Sequence, residues 1–415
     1  MIDKSFRLDY GSCLGLLRER LAEPAPGLLQ LLSGPRQVGK TTLLLELERE
    51  LGEQAIYAAA DGPEALLPGF WERLWQRAAT RAKNQGRSVV LLDEVQRVAD
   101  WSSRLKSEWD RIRRKRLPVH VVATGSSALQ LAGGSRESLA GRFENMTLVH
   151  WSAAALVDVF GLSAEEAVEE VVRRGAYPGA VALRHDEARC TAYVRDAIVE
   201  PAIGRDLMAL SRVRRPALLR QVFALAASAP SEVVSLQKLQ GQLQDRGALE
   251  TIASYLQLLE EAYLVAALRK VARQPTRRRA SPPKLVPLSN ALCAAVDPRG
   301  PPDPRMEPDR HGRWVENACI AFAWNAGQHP SYWRERSFEV DVVLDGSWGA
   351  WAIEIKTGAF RSADLLGLFE FVNREPAYQP LLLCDPSRLA AADRLGIATQ
   401  SWQDFLLHGP PAGTG

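Results

Sequence analysis

Short apolar runs punctuate the first third of the chain: Leu28–Leu32, Ala55–Ala59, Val89–Leu92, Val119–Ala123 and Met146–Val149. Each has the length of a buried strand, and the stretches between them carry apolar residues at helical spacing. That alternation predicts βαβ units and a parallel sheet over residues 28–150. From 151 to 275 the pattern turns helical, with Ala, Leu, Glu and Arg dominant. Within it, 216–275 predicts three helices and a strand. Val233-Val234-Ser235-Leu236 opens the second helix, Asp245-Arg246-Gly247 makes a turn, Ala248–Glu261 is the third helix, and Tyr263-Leu264-Val265 leads out. Two breaks follow, one rich in Pro and Arg over 274–284, the other running from Asp297 to Pro308 and read as a mobile loop. Residues 312–408 return to mixed α/β, with an amphipathic helix at Trp314–Trp324 and strands near Glu339–Leu344, Trp351–Ile355 and Leu381–Cys384. The tail Gly409–Gly415 is expected to fray.

The strongest chemical signal follows the first apolar run. Gly34-Pro35-Arg36-Gln37-Val38-Gly39-Lys40-Thr41-Thr42 lies between a strand and the helical run Leu43–Leu51, the setting in which GxxxxGK[ST] cradles phosphates. Gly34 and Gly39 let the backbone wrap a β-phosphate, and the amides opening the helix supply donors at its positive end. Lys40 is expected to reach the β- and γ-phosphates, and the Thr41 hydroxyl to ligate Mg²⁺. The matching acidic partner ends a second run, Val89-Val90-Leu91-Leu92-Asp93-Glu94. Asp93 is assigned to Mg²⁺ through water and Glu94 to the attacking water, which makes ATP hydrolysis rather than phosphate transfer to substrate the expected reaction. A third strand ends in Thr124-Gly125-Ser126-Ser127, where a polar residue between the two nucleotide strands senses the γ-phosphate; Ser126 is the choice and Thr124 the runner-up.

Composition narrows the class. The 415 residues allow two or three domains, and 46% hydrophobic with 24% charged residues is ordinary for a water-soluble chain. The net charge of +3 gives no bulk argument for nucleic acid, so that case rests on local clustering. Five scattered cysteines without a CxxC pair, and six histidines without zinc spacing, argue against a disulfide framework or zinc site. The start lacks a signal-peptide core, and no apolar run is long enough for a bilayer, so a cytoplasmic protein without membrane contact is expected.

GPRQVGKTTLL, LLDEVQRVADWSSRLKSEWD, TGSSALQL and SLAGR, in that order, resemble the AAA-type ATPases of bacteria and archaea, and more narrowly a branch whose C-terminal domain has no assigned role. The resemblance implies an AAA core over 1–150, a helical lid over 151–215, a winged helix-turn-helix-like module over 216–285 and a restriction-endonuclease-like α/β domain over 286–415. It also implies a homo-oligomeric ring, a hexamer, in which an arginine at the end of the helix after the sensor strand reaches the neighbour's nucleotide. Arg142 matches that place, Arg136 more weakly, and no acidic partner for Arg142 is evident in the sequence. Gly175-Ala176-Tyr177-Pro178-Gly179-Ala180 resembles the second sensor region but holds no arginine, so no second sensor is assigned.

The winged-helix resemblance implies DNA contact, yet Glu250, Gln257, Glu260 and Glu261 on the third helix are not those of a groove reader. The cations lie beyond it, at Arg269, Lys270, Arg273, Arg277, Arg278, Arg279 and Lys284, as a phosphate-contacting wing or a solvated loop. In the last segment Glu316, Asp341, Glu354 and Lys356 resemble the Glu…Asp…Glu-x-Lys pattern of restriction endonucleases. Glu354 and Lys356, two apart on a strand, share a face, and Asp341 on the adjacent strand can join them in a candidate second Mg²⁺ site with Glu316 nearby. The expectation is an ATPase that translocates, remodels or branch-migrates DNA. Two alternatives stand beside it: an ATP-gated nuclease acting on foreign DNA, and a switch ATPase that regulates protein partners.

Overall fold

The β-branched and leucine-rich runs near the start form one sheet. In a computed structural model describing residues 6–126, 139–208, 213–244, 248–272 and 281–411, the chain falls into two units, residues 1–149 and 150–415. The first unit is a six-stranded parallel sheet. Its strands are β1 (Phe6–Leu8), β2 (Leu29–Ser33), β3 (Ala55–Ala59), β4 (Ser88–Asp93), β5 (Val119–Thr124) and β6 (Phe143–Leu148), in the order β1-β6-β2-β5-β4-β3. All residues of β2, β4 and β5 are buried, as a parallel sheet covered on both faces requires. Helices α1 (Tyr10–Ala22), α2 (Lys40–Leu51), α3 (Phe70–Gln85) and α4 (Trp101–Arg114) complete the described helices of this unit. Trp71, Leu74, Trp75 and Ala78 of α3 and Leu105, Trp109 and Ile112 of α4 pack with Ile56, Val90, Leu92 and Val121 of the sheet in one core.

Two strand expectations change. Phe6–Leu8, too short to stand out in the sequence, joins β6 in parallel at the sheet edge. β6 itself begins at Phe143, three residues before the expected Met146, because Phe143–Thr147 pair with β2 and need no apolar side chains for that backbone ladder.

The second unit holds two sheets. A three-stranded antiparallel one, β7 (Glu232–Val233), β8 (Val265–Leu268) and β9 (Lys284–Pro287), has the order β7-β9-β8 and accompanies helices Pro216–Ser228, Leu236–Gln242 and Leu249–Glu261. Val233 thus lies in a strand and does not open a helix; Ser235 caps the helix instead, its hydroxyl accepting the Lys238 amide. The expected turn at 245–247 and the cations Arg273, Arg277, Arg278 and Arg279 lie outside the described residues. The second sheet is mixed, in the order β10-β11-β12-β13-β14: β10 (His329–Glu335), β11 (Phe338–Asp345), β12 (Trp351–Lys356), β13 (Gln379–Cys384) and β14 (Ala398–Ser401). β10–β12 are antiparallel neighbours, whereas β12–β14 are parallel. β10 and β14 had no sequence expectation, since their polar and alternating residues lack a distinct apolar run.

The segment Asp297 to Pro308 is pinned rather than loose. Asp297 is buried, and its carboxylate accepts from Arg299 at 3.0 Å and from Arg310 at 2.9 Å. The helix beginning at Pro308 runs to Asn325 and carries Glu316. Among the described residues no helix is long and apolar enough to cross a membrane.

Candidate functional site

Three strands and one loop converge at the C-terminal edge of the first sheet, where β5 lies between β2 and β4. The loop after β2 makes its turn with glycines at two places that admit nothing larger. A Cβ on Gly34, at φ +149°, would sit 2.1 Å from the Leu148 carbonyl oxygen. Gly39, at φ +100°, is the N-cap of α2, and no side chain of its own caps the first amides of that helix. Val38 is buried under the loop, Gln37 holds a left-handed φ of 60°, and Lys40 opens α2. The Lys40 ammonium is buried and donates to the Gly34 carbonyl at 3.1 Å and the Pro35 carbonyl at 2.6 Å, inside the loop's own curve. Pro35, Arg36 and Thr42 complete the same loop and first helical turn.

Asp93, at the end of β4, ties the pieces together. Its Oδ2 accepts from the Thr41 hydroxyl at 2.7 Å and from the Tyr57 hydroxyl at 3.1 Å. Its Oδ1 accepts from the Thr124 hydroxyl and, at 3.1 Å, from the Glu94 amide. Glu94 stands in the left-handed region at φ 52°, a conformation that costs a non-glycine residue about 1–3 kcal/mol and is concentrated at functional sites. Burial holds its carboxyl above the usual range; the charge of Asp93 adds to that and Lys40 opposes it. Gln96 donates to Glu94 Oε2.

The structure therefore brings Lys40, Thr41, Asp93 and Glu94 together and adds residues that sequence reasoning passed over. Tyr57 sits at the edge strand β3 in an otherwise apolar run, and Gln96 follows Glu94 by two; a hydroxyl within a buried strand and an amide beside the acidic pair were the available signals. Of the two sensor candidates, Thr124 reaches Asp93 and accepts the Glu94 amide at 3.4 Å. The buried Ser126 hydroxyl has no partner among the described residues. The donors Thr41 Oγ1 and Asp93 Oδ2, hard oxygens facing one another beside the loop, suit a small divalent cation such as Mg²⁺.

Arg142 differs from expectation. It has an acidic partner in its own chain: its Nε donates to Asp110 Oδ1 at 3.2 Å, while its guanidinium lies 5.4 Å from the centre of the Trp109 ring. Thirty-two residues separate the pair in sequence, which hid it. Residues 127–138, where a helix was expected and where Arg136 falls, lie outside the described residues.

Residues 28–157 match the model of a family described as an AAA domain. The first unit has the P-loop ATPase fold. Residues 165–303 match a domain of unknown function, DUF8612, whose bounds cross both the 215/216 and 285/286 divisions expected from sequence. The uncharacterized proteins Rv2008c of Mycobacterium tuberculosis and Mb2031c of Mycobacterium bovis are each 28% identical over 333 residues, covering 79% of this chain and 69% of theirs. Three solved structures are distantly similar. The Orc1 protein of Aeropyrum pernix in complex with DNA is 16% identical, covering 68% of this chain and 89% of its own, at a TM-score of 0.32. The RuvB Holliday junction branch migration motor of Thermotoga maritima is 18% identical, covering 64% and 89%, at 0.33. AMPPCP-bound DnaA from Aquifex aeolicus is 14% identical, covering 60% and 86%, at 0.29. At these scores the fold rests on the sheet order and the loop geometry.

In the second unit, Asp341 comes one step beyond the last paired residues of β11 and β12, Val342 and Ile353. Its Oδ2 accepts the Ile355 amide at 2.8 Å. Lys356 and Glu354 share a face as expected, 2.5 Å apart between Nζ and Oε1, and the other Glu354 oxygen, buried, has no partner among the described residues. Burial and the Asp341 charge push the Glu354 carboxyl up. Glu316 stands near Asp341 but is already paired with a lysine. The wholly buried Lys284 of β9 places its ammonium 2.5 Å from Glu316 Oε1 and donates to the Asp341 carbonyl at 2.8 Å. No group of three or more His, Cys, Asp or Glu side chains is gathered for a metal ion among the described residues. The expected four-residue arrangement is thus two ion pairs around Asp341, with Glu316 held by a lysine absent from the sequence pattern.

Proposed function

We propose that this chain is a MgATP-hydrolysing AAA-type ATPase that works on DNA as a ring of identical subunits. One observation carries the ATPase reading: a single carboxylate, Asp93, is shared by the Thr41 hydroxyl of the phosphate loop and the Thr124 hydroxyl of the intervening strand, with Glu94 beside it. Thr41 and Asp93 would hold magnesium, whose charge supports the β- and γ-phosphates when bound. Lys40 and the amides opening α2 would grip the phosphates. Glu94, raised in pKa and oriented by Gln96, would accept a proton from the attacking water. Thr124, rather than Ser126, would report the γ-phosphate to Asp93 and Glu94. Thr124→Val removes a hydrogen bond to a charged group, about 1.5–3 kcal/mol, and should slow turnover about 10–100-fold, measured as phosphate release. A comparable loss in Ser126→Ala, with Thr124→Val near wild type, would return the role to Ser126.

The DNA part is supported by the Asp341–Glu354–Lys356 juxtaposition on a mixed sheet and by the cations at Arg269, Lys270, Arg277, Arg278, Arg279 and neighbours. ATPase rates with single-stranded, duplex and branched DNA test it: stimulation is expected, and charge reversal at Arg277, Arg278 and Arg279 should weaken binding to all sequences alike. A DNA-indifferent ATPase would favour the switch that regulates protein partners. The buried, unpartnered Glu354 oxygen favours a second reading, an ATP-gated nuclease. Mg²⁺-dependent cleavage lost in Asp341→Asn would support it, and intact DNA after prolonged incubation with ATP would remove it.

A further inference from the structure

Helix α3 presents an unusual outward face. Arg73, Arg77 and Arg81 recur every four residues, about 6 Å apart along the axis, and line an open groove of about 580 Å³. Some exposed arginines elsewhere in this chain are paired with acids, as Arg18 is with Glu50, Arg195 with Asp196 and Arg374 with Glu370. The three on α3 have no carboxylate partner among the described residues. Arg73 donates to the Pro68 carbonyl and Arg81 to the Ala55 carbonyl, which aims these chains without neutralising them. Beside them stand the neutral donors Gln76, Thr80 and Asn84. The one acid in the groove, Glu53, already accepts from Gln85 at 3.2 Å.

We infer that this groove binds the phosphodiester backbone of nucleic acid, without reading its sequence. The lining chemistry selects that partner. Arginines with amide and hydroxyl donors are the side chains that contact phosphates, whereas no aromatic or aliphatic residue lines the groove to stack a base or seat the apolar core of a protein interface. None of the groove's lining residues belongs to the ATP site; the choice of nucleic acid among polyanions rests on the DNA reading above.

The test uses the full chain and a labelled mixed-sequence duplex, with affinity measured across a salt series. Each lost phosphate contact lowers the log–log salt slope by about 0.9, so Arg73→Gln/Arg77→Gln should lose about 1.8. Arg73→Lys/Arg77→Lys should restore the slope, because a phosphate contact of this kind needs charge rather than a fork. Should the double Gln variant fail to fold, Arg77→Gln alone decides, since Arg77 has no hydrogen-bond or ion-pair partner among the described residues, and it should lose about 0.9. An unchanged slope, no duplex binding by the wild type, or displacement by polyglutamate as effective as by unlabelled duplex would overturn the inference. DNA-stimulated ATPase with an unchanged slope overturns the groove and leaves the functional reading. A reduced slope in a DNA-indifferent ATPase does the reverse.

Discussion

Glu94→Gln should bind ATP as the wild type does and release phosphate about 10²–10⁴-fold more slowly, the usual contribution of a positioned general base. Lys40→Ala should lose nucleotide binding itself. The difference follows from where the two side chains stand. Lys40 is buried inside the loop, its ammonium directed by the Gly34 and Pro35 carbonyls, so its removal takes away the cation of the phosphate cradle. Glu94 lies beyond the cradle, just past the end of β4, in the left-handed conformation, its carboxylate met by Gln96. Glutamine keeps its size and removes only the basic oxygen. The pH dependence has a definite sign: a base must be deprotonated, and burial raises the Glu94 carboxyl, so wild-type turnover should fall with decreasing pH at a higher pH than an ordinary glutamate would give. Fluorescent-nucleotide titration and phosphate release, run on both variants, check this. Equal losses of ATP affinity in the two would refute the division of labour.

Arg142→Ala should bind ATP and yet lose about 10³–10⁵ in turnover, the worth of an arginine delivered to a neighbour's γ-phosphate. The pair with Asp110 makes this prediction sharper. An arginine that merely braces α4 would lose its function equally when either partner is removed. A part-exposed pair of this kind contributes about 0–1 kcal/mol, so Asp110→Asn should leave turnover near wild type if Arg142 acts on the adjacent subunit. Mixing adds the quaternary evidence. Arg142→Ala and Glu94→Gln subunits, each inactive alone, should recover activity together, because one subunit offers Arg142 to a site in which the other retains Glu94. Equal effects of Arg142→Ala and Asp110→Asn, or no recovery in mixed assemblies, would assign Arg142 to its own chain.

What could be read in the sequence is what neighbours in the chain decide. A buried strand needs consecutive apolar residues, a phosphate loop needs its glycines and lysine at fixed spacing before a helix, and an acidic pair at a strand end needs only that strand. Those features put β2 to β5, the loop 34–42, Asp93 and Glu94 within reach of sequence reasoning, and Glu354 with Lys356 followed from the two-residue period of a strand. Everything that depends on strand order was out of reach. Thr124 meets Asp93 because β5 is inserted between β2 and β4, and Tyr57 because β3 is the outer neighbour of β4. Asp110 meets Arg142 across 32 residues, and Lys284 crosses from a three-stranded sheet to claim Glu316. Strands such as β1, β10 and β14 lacked apolar runs because backbone hydrogen bonds to a neighbour, rather than side-chain burial, hold much of their length. The sequence determined which chemistry the chain carries; the fold decided which carboxylates keep it free and which are already answered by a cation.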